Sequence, residues 1–188
     1  ADVLDWNTDK HYLRELAALG MPTIPTSWLE PEQNLSKHQI HTRFPAFGEF
    51  VVKPAVSSGV RDIGRYTTVD IHQRQAAMRQ VQGLLGDGRS VMIQRYVEEI
   101  DLHGEISLVF FNGLVSHAVE KRSALHPASV TNPEMHEAVL TADSADSVAW
   151  TCGEQIRRVL HDYVRARLGH DEQFLFNRVD LVPDGKGS

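Results

Sequence analysis

The chain has almost no cysteine. Among 188 residues only Cys152 is one, which excludes an internal disulfide and makes a reducing, cytoplasmic setting the simplest expectation. That lone thiol opens a helical pattern in Trp-Thr-Cys-Gly-Glu-Gln-Ile and reads as a packing residue rather than a nucleophile. Long apolar runs are also missing: none reaches the roughly 18 residues needed to cross a bilayer, and no signal peptide is legible. Positive charge is in deficit, with 19 Lys and Arg against 25 Asp and Glu and a formal net charge of −6. That balance argues against a general nucleic-acid binder but leaves room for a local basic pocket holding a small anion. There is no Gly-x-x-x-x-Gly-Lys-Ser/Thr loop, and the ten histidines never fall at His-x-x-x-His or His-Glu-x-x-His spacing. A P-loop nucleotidase and a zinc hydrolase are thereby set aside. His38 and His41 read as surface residues, and no internal repeat occurs. The chain starts at Ala1 and stops after Gly-Lys-Gly-Ser, so the expectation is a piece of a longer protein.

What is present is a well-mixed sequence with 41% hydrophobic residues, enough for one or two compact lobes. Residues 8–19 read as a helix with Thr8 as its N-cap, closed by Gly20. Residues 26–47 have no regular period. Strands are expected over 50–52, 65–69, 91–97, 105–111, 114–121 and 174–182, with Asn112-Gly113 as a tight hairpin turn and Pro183-Asp184-Gly185 as another turn. Helices are expected over 71–85 and 152–168, the second with Ile156, Val159, Leu160, Tyr163 and Val164 inward. Residues 123–148 read as a long loop. Hairpins mixed with helices, without regular strand–helix–strand crossovers, make this an α+β fold rather than a doubly wound sheet.

Three segments carry chemistry. In Phe-Val-Val-Lys-Pro-Ala-Val-Ser-Ser-Gly, residues 50–59, Lys53 ends an apolar strand, and Ser57, Ser58 and Gly59 offer hydroxyls and close backbone approach suited to phosphate. Taken alone, the segment reads more simply as an ordinary hairpin loop beside a snorkelling lysine. In residues 91–113 a strand exits through Gln94-Arg95-Tyr96-Val97, whose backbone can meet an adenine edge. Glu105 begins the next strand, where a carboxylate can accept two ribose hydroxyls; taken alone, the segment reads more simply as a meander with solvated acids. In Phe-Leu-Phe-Asn-Arg-Val-Asp-Leu-Val, Arg178 and Asp180 lie two apart on a strand and share a face. They suit either a phosphate-binding arginine beside a metal-binding carboxylate or a structural ion pair.

The order of these segments resembles the ATP-grasp ligases: lysine–proline strand, glycine loop, hinge strand, Gly-Glu-x-Ser-Leu strand, then Arg-x-Asp strand. The stretch from Gly104-Glu105 to Lys121-Arg122, with the opening Trp6-Asn7-Thr8-Asp9-Lys10, is similar to the bacterial branch that includes D-cycloserine synthetase-like and glutathione synthetase-like proteins. The resemblance covers most of residues 6–122 and 174–182. It implies an α+β ATP-grasp fold of two lobes with ATP between them, lacking here the N-terminal domain and the last metal-binding strand. The implied divisions are a helix and connector over 1–47, a lid lobe over 48–94 and a catalytic lobe over 95–188 that is incomplete at its C-terminus.

The resemblance also implies roles. Lys10 and Lys53 would bind ATP phosphates, under a loop containing Ser57, Ser58 and Gly59. Gln94, Tyr96 and Val97 would line the adenine pocket, and Glu105 would take the ribose. Arg178 would face the transferred phosphate, and Asp180 would bind magnesium. His117 and His126 lie near that constellation as candidate proton shuttles. The cofactors implied are ATP and Mg2+, and the activity is an ADP-forming carboxylate–amine or intramolecular cyclising ligation, in cytoplasmic antibiotic biosynthesis. The partner expected is a small carboxylate or amine substrate, with no nucleic acid and no membrane. Related ligases are commonly dimers or tetramers, so a homo-oligomer is also expected. The Gly-Asp-Phe-Arg-like segment usual after the Lys-Arg pair is replaced by Ser-Ala-Leu-His-Pro-Ala-Ser-Val. Two rivals remain at this stage: a non-catalytic ATP-binding or scaffolding protein of the same fold, and an unrelated α+β interaction module.

Overall fold

A computed structural model of the chain describes residues 2–57, 61–121, 137–140, 147–171 and 173–183. The chain divides into two compact units, Ala1–Tyr96 and Val97–Ser188. Ser58, Gly59, His126, Asp184 and Gly185 lie outside the described residues.

In the first unit, two short helices, α1 (Asp2–Thr8) and α2 (Tyr12–Ala18), replace the single helix expected over 8–19. Thr8 does not cap α2. It ends α1 and donates its hydroxyl to the Leu4 carbonyl at 2.8 Å. Asp9 turns the chain between the helices by accepting the His11 N–H at 3.1 Å. Strand β1 (Thr26–Leu29), a 3-10 turn at Pro31–Gln33 and helix α3 (Lys37–His41) occupy the segment that showed no period. Elements of four and five residues are too short to display one. Helix α3 does carry a local signature: Ser36 accepts from the Gln39 N–H, and the Gln39 side chain accepts from the Ser36 N–H, the reciprocal capping of a helix start.

Strands β2 (Glu49–Pro54), β3 (Gly64–Thr67) and β4 (Val91–Arg95) complete an antiparallel sheet in the order β1-β4-β2-β3. Helix α4 (Ile71–Gly86) is capped by Asp70, whose carboxylate accepts from the His72 N–H at 2.8 Å. The two-residue period of the strands sorts their side chains. Phe50, Val52, Val91, Ile93 and Leu29 join Ala77, Val81 and Leu84 of α4 and Ile40 of α3 in one core. Phe50, Val52, Ala77, Val81 and Val91 are fully buried; each large apolar side chain so buried contributes about 1.5–3 kcal/mol relative to exposure. The register pairs Val51 with Gln94, Lys53 with Met92, and Trp28 with Met92, so these residues share the opposite face.

In the second unit, α5 (Glu99–His103) precedes β5 (Glu105–Phe111), β6 (Leu114–Lys121), β7 (Glu137–Leu140), helix α6 (Ser147–Leu168) and β8 (Phe176–Leu181). The sheet is antiparallel in the order β7-β6-β5-β8. Asn112 and Gly113 both have positive φ, 55° and 77°, the conformation that lets a two-residue turn match strand twist. Strand β7 lies inside the segment expected to be a loop, and α6 begins five residues earlier than expected. The described helix packs on Leu108, Phe110, Ala118 and Val179 through Trp150 and Ile156. Gly153 permits that approach: a Cβ there would stand 2.2 Å from Leu108 Cδ1. Val164 is buried, while the rest of the expected inward stripe is half-buried. Among the described residues no helix is long and apolar enough to cross a membrane.

Candidate functional site

Lys53 lies near the end of β2, half-buried, on the sheet face away from α4. The chain leaves β2 through Ala55 and Ser57, and there it meets Lys10. The Lys10 N–H donates to the Ala55 carbonyl at 3.1 Å. Its ammonium donates to the Ala55 carbonyl at 3.2 Å, to the Ser57 carbonyl at 3.3 Å and to the Ser57 hydroxyl at 2.9 Å. Two lysines far apart in sequence are thus tied to the same strand exit. Partial burial pulls the Lys10 ammonium below the usual lysine range, against the opposing charge of Asp9.

The residues around Lys10 form a polar cluster that the sequence did not reveal. His11 Nδ1 lies 2.6 Å from the Asp9 carboxylate and Nε2 lies 3.0 Å from Glu30. Its ring stacks on Trp28 with centroids 4.4 Å apart. Arg14 reaches the same Glu30 oxygen at 3.3 Å and covers the Trp28 ring. Burial alone would lower the His11 pKa, but hydrogen bonds to Glu30 and Asp9 overcome it and raise the ring above its ordinary value. For Glu30, burial would raise the pKa; hydrogen bonds from Ser90 and His11 and the charges of His11 and Arg14 overcome that and lower it. Asp9 is lowered in the same way: burial opposes the shift, and the His11 backbone and ring, with Lys10, outweigh it.

The three residues expected at the adenine differ in surroundings. Gln94 is buried, its backbone pairs with both β1 and β2, and its amide donates to the Thr26 hydroxyl at 2.7 Å. Tyr96 is buried with its N–H on the Glu49 carbonyl at 2.9 Å, and the Arg65 guanidinium lies 3.7 Å over its ring. Arg65 in turn pairs with the Glu49 carboxylate at 2.5 Å. The Val97 carbonyl, in the second unit, accepts from the Ile100 N–H at 3.1 Å.

In the second unit the register gathers the polar residues. Glu105 pairs with Lys121, Ser107 with Asp180, and Val109 with both His117 and Arg178. Partners directly across an antiparallel pair point the same way, so Glu105, Ser107, His117, Lys121, Arg178 and Asp180 share the face opposite α6. Arg178 binds Asp180 through two contacts of 2.8 Å, and both side chains are about half exposed at 46%. The other contact on Asp180 comes from the buried Ser107 hydroxyl at 2.6 Å. His117 Nδ1 lies 2.9 Å from the Ser116 hydroxyl. Among the described residues no group of three or more His, Cys, Asp or Glu could by itself hold a metal. A single accessible carboxylate nevertheless fits magnesium, which commonly takes one or two carboxylates and completes its shell with phosphate oxygens and water.

Ser107, His11 and Glu30 are not among the candidate site residues the sequence offers. The Gly-Glu-x-Ser-Leu pattern contained Ser107, and its two-residue offset from Glu105 was the signal that would have put it on the same face. Glu30 comes from the segment without a period, so no spacing argument could bring it to His11.

The two antiparallel sheets, each backed by helix, superpose on those of ATP-grasp ligases, and the chain has that fold. It is a homologue of the cycloserine biosynthesis protein DcsG of Streptomyces lavendulae, 35% identical over 186 residues, which are 97% of this chain and 59% of that protein. The crystal structure of D-cycloserine synthetase DcsG superposes with a TM-score of 0.76 at 34% identity, covering 100% of this chain and 61% of that one. A D-alanine–D-alanine ligase from Bacillus anthracis complexed with ATP follows at TM-score 0.58 and 18% identity, over 95% of this chain and 51% of the ligase. The ATP-grasp ligase PsnB, complexed with a precursor variant, Mg and ADP, gives 0.54 and 14%, over 98% of this chain and 48% of PsnB. At those lower identities the likeness is one of fold. The chain spans about three-fifths of the length of DcsG. No family model matches it.

Proposed function

We propose that the chain is the nucleotide-binding part of an ATP-dependent, ADP-forming ligase that joins a carboxylate to an amine, or cyclises one molecule carrying both, on an amino-acid-like substrate. The observation that carries this reading is the pair of lysines at one strand exit: Lys10 is hydrogen-bonded to the segment that follows Lys53. Ammonium groups on a short loop are suited to phosphate oxygens. Homology to DcsG supports the ligase class and its place in small-molecule antibiotic biosynthesis. In this reading Lys10, Lys53 and the loop of Ser57, Ser58 and Gly59 hold the phosphates. Gln94, Tyr96 and Val97 form the adenine wall, and Glu105 accepts the ribose hydroxyls. The proposed assignments also include a lid over 48–94, a catalytic lobe over 95–188, a cytoplasmic setting and a self-associated oligomer.

The chemistry is two displacements. A substrate carboxylate oxygen attacks the γ-phosphorus of ATP, the bond to the β-phosphate oxygen breaks, and ADP leaves an acylphosphate. An amine then attacks the acyl carbon, inorganic phosphate departs, and the amine proton goes to solvent or a nearby base such as His117. Asp180 would hold magnesium in part, and the ion would supply charge neutralisation at the phosphates. Lys10, Lys53 and Arg178 would do the same and orient the reacting groups, which is where catalysis of phosphoryl transfer chiefly lies. For Arg178 to face the transferred phosphate, it must exchange part of its contact with Asp180 for the ligand.

The test is an ADP-release assay of the intact protein with magnesium ATP and a panel of amino acids and their O-ureido and hydroxy derivatives. Turnover with at least one member, lost in Lys53→Ala, is expected. Thermal stabilisation by the nucleotide with no turnover on any member would favour an ATP-binding scaffold. Neither stabilisation nor turnover would remove the nucleotide reading.

A further inference from the structure

We propose that His11, held as an imidazolium between Asp9 and Glu30, is a positioning residue that sets Lys10 for nucleotide phosphate, so that nucleotide binding weakens when the ring loses its proton. The proposal rests on the phosphate role given to Lys10 above. Its ground is donor counting. A neutral imidazole has one N–H and one bare nitrogen, whereas an imidazolium donates from both. Here both ring nitrogens stand within hydrogen-bond distance of a carboxylate oxygen, Asp9 at 2.6 Å and Glu30 at 3.0 Å. With both carboxylates ionised, a neutral ring would turn one contact into lone pair against oxyanion.

The clamp reaches Lys10 because the two residues are adjacent in the chain. Asp9 and His11 flank it, and Asp9 accepts both the His11 N–H and the His11 ring. Glu30 anchors the other side of the ring from beyond β1, and Trp28 supports its face. The Lys10 backbone is in this way fixed against Ala55, and its ammonium is delivered to Ser57. The charged and titratable groups facing His11 are Asp9 and Lys10 beside it, Glu30 across it, and Arg14 on the far side of Glu30. Ser90 adds a neutral hydrogen bond to Glu30. The shifts all favour the charged forms. The His11 pKa is raised, so the clamp's contribution is present at low pH and lost as pH rises through the folded value. The Asp9 and Glu30 values are lowered, so their side of the clamp fails only as pH falls through those lower values. Between the two limits Lys10 is held.

The experiment titrates the affinity of the intact protein for MgADP by calorimetry, from about pH 6 to about pH 9, the range in which a histidine changes charge. The wild type and His11→Gln are compared, so that titration of the nucleotide and of Lys10 is common to both. The wild type is expected to weaken about fivefold more than the variant over that range, the low end of coupling between linked sites. In a second measurement needing no variant, the His11 ring is followed by NMR, and saturating MgADP is expected to raise its titration midpoint, because linkage is reciprocal. Identical pH profiles for the two proteins, or a midpoint that nucleotide leaves unmoved, overturn the clamp while leaving the ligase reading intact. Absence of MgADP binding at every pH overturns both.

Discussion

The two units hold their polar groups in opposite ways. In the first, Lys10 is hydrogen-bonded to the strand exit and stands beside a stacked, half-buried ion cluster. Behind it lies a core cluster of ten buried residues centred on Phe50 and Val52. In the second, Arg178 and Asp180 are half exposed and neutralise each other, and the described core cluster has four buried residues, with α6 closing over them. In the first the cation already stands at the strand exit, and in the proposed function it exchanges a neutral hydrogen bond to Ser57 for an incoming anion. In the proposed function the second must open its ion pair before Arg178 can face a phosphate. Under the proposed function, this is a division between binding and chemistry.

The contrast can be broken from several sides. Phe50→Ala removes the centre of the larger core and is expected to cost about 3–5 kcal/mol, read as a fall in unfolding midpoint; a loss below about 1 kcal/mol would mean that this core does not carry the unit. Lys53→Ala is expected to lower turnover by about 100- to 1,000-fold, the usual penalty for deleting a preorganised charge-stabilising group, with unfolding little changed. Gly153→Ala drives a methyl into Leu108 beneath α6 and is expected to destabilise the second unit by about 1–3 kcal/mol; hydrogen exchange that loosens β5 and β8 while sparing β2 and β4 would localise the effect. Smallest is the stability change for Asp180→Asn. An exposed pair contributes about 0.2–1 kcal/mol, so the unfolding midpoint should barely move while turnover collapses. A large loss of stability there would make the pair structural.

Much of this arrangement was legible in the sequence, for a physical reason. Strand periodicity is strict, so Arg178 and Asp180 had to share a face, and the Asn112-Gly113 turn fixed the β5–β6 hairpin. Packing shows which face meets α6: Leu108, Phe110 and Val179 line it, and Arg178 and Asp180 lie on the other, where Ser107 and Val109 are buried too. What escaped was built from short pieces or long-range pairings. The four-residue β1 and five-residue α3 show no period, and β7 lies in a Ser- and Pro-rich stretch. The break between α1 and α2 depends on Asp9 accepting the His11 N–H two residues on, which a helical pattern of Tyr12, Leu13, Leu16 and Leu19 conceals. The His11 cluster combines that break with a residue nineteen positions away, and only the tertiary fold brings the two together.

The most direct measurement is a crystal structure of the intact protein with ADP and magnesium. The account predicts the β-phosphate within hydrogen-bond distance of both the Lys10 and Lys53 ammonium groups, with Lys10 having given up at least its contact to the Ser57 hydroxyl. A nucleotide bound away from this strand exit, or one that leaves both lysines where they stand without touching its phosphates, would contradict it.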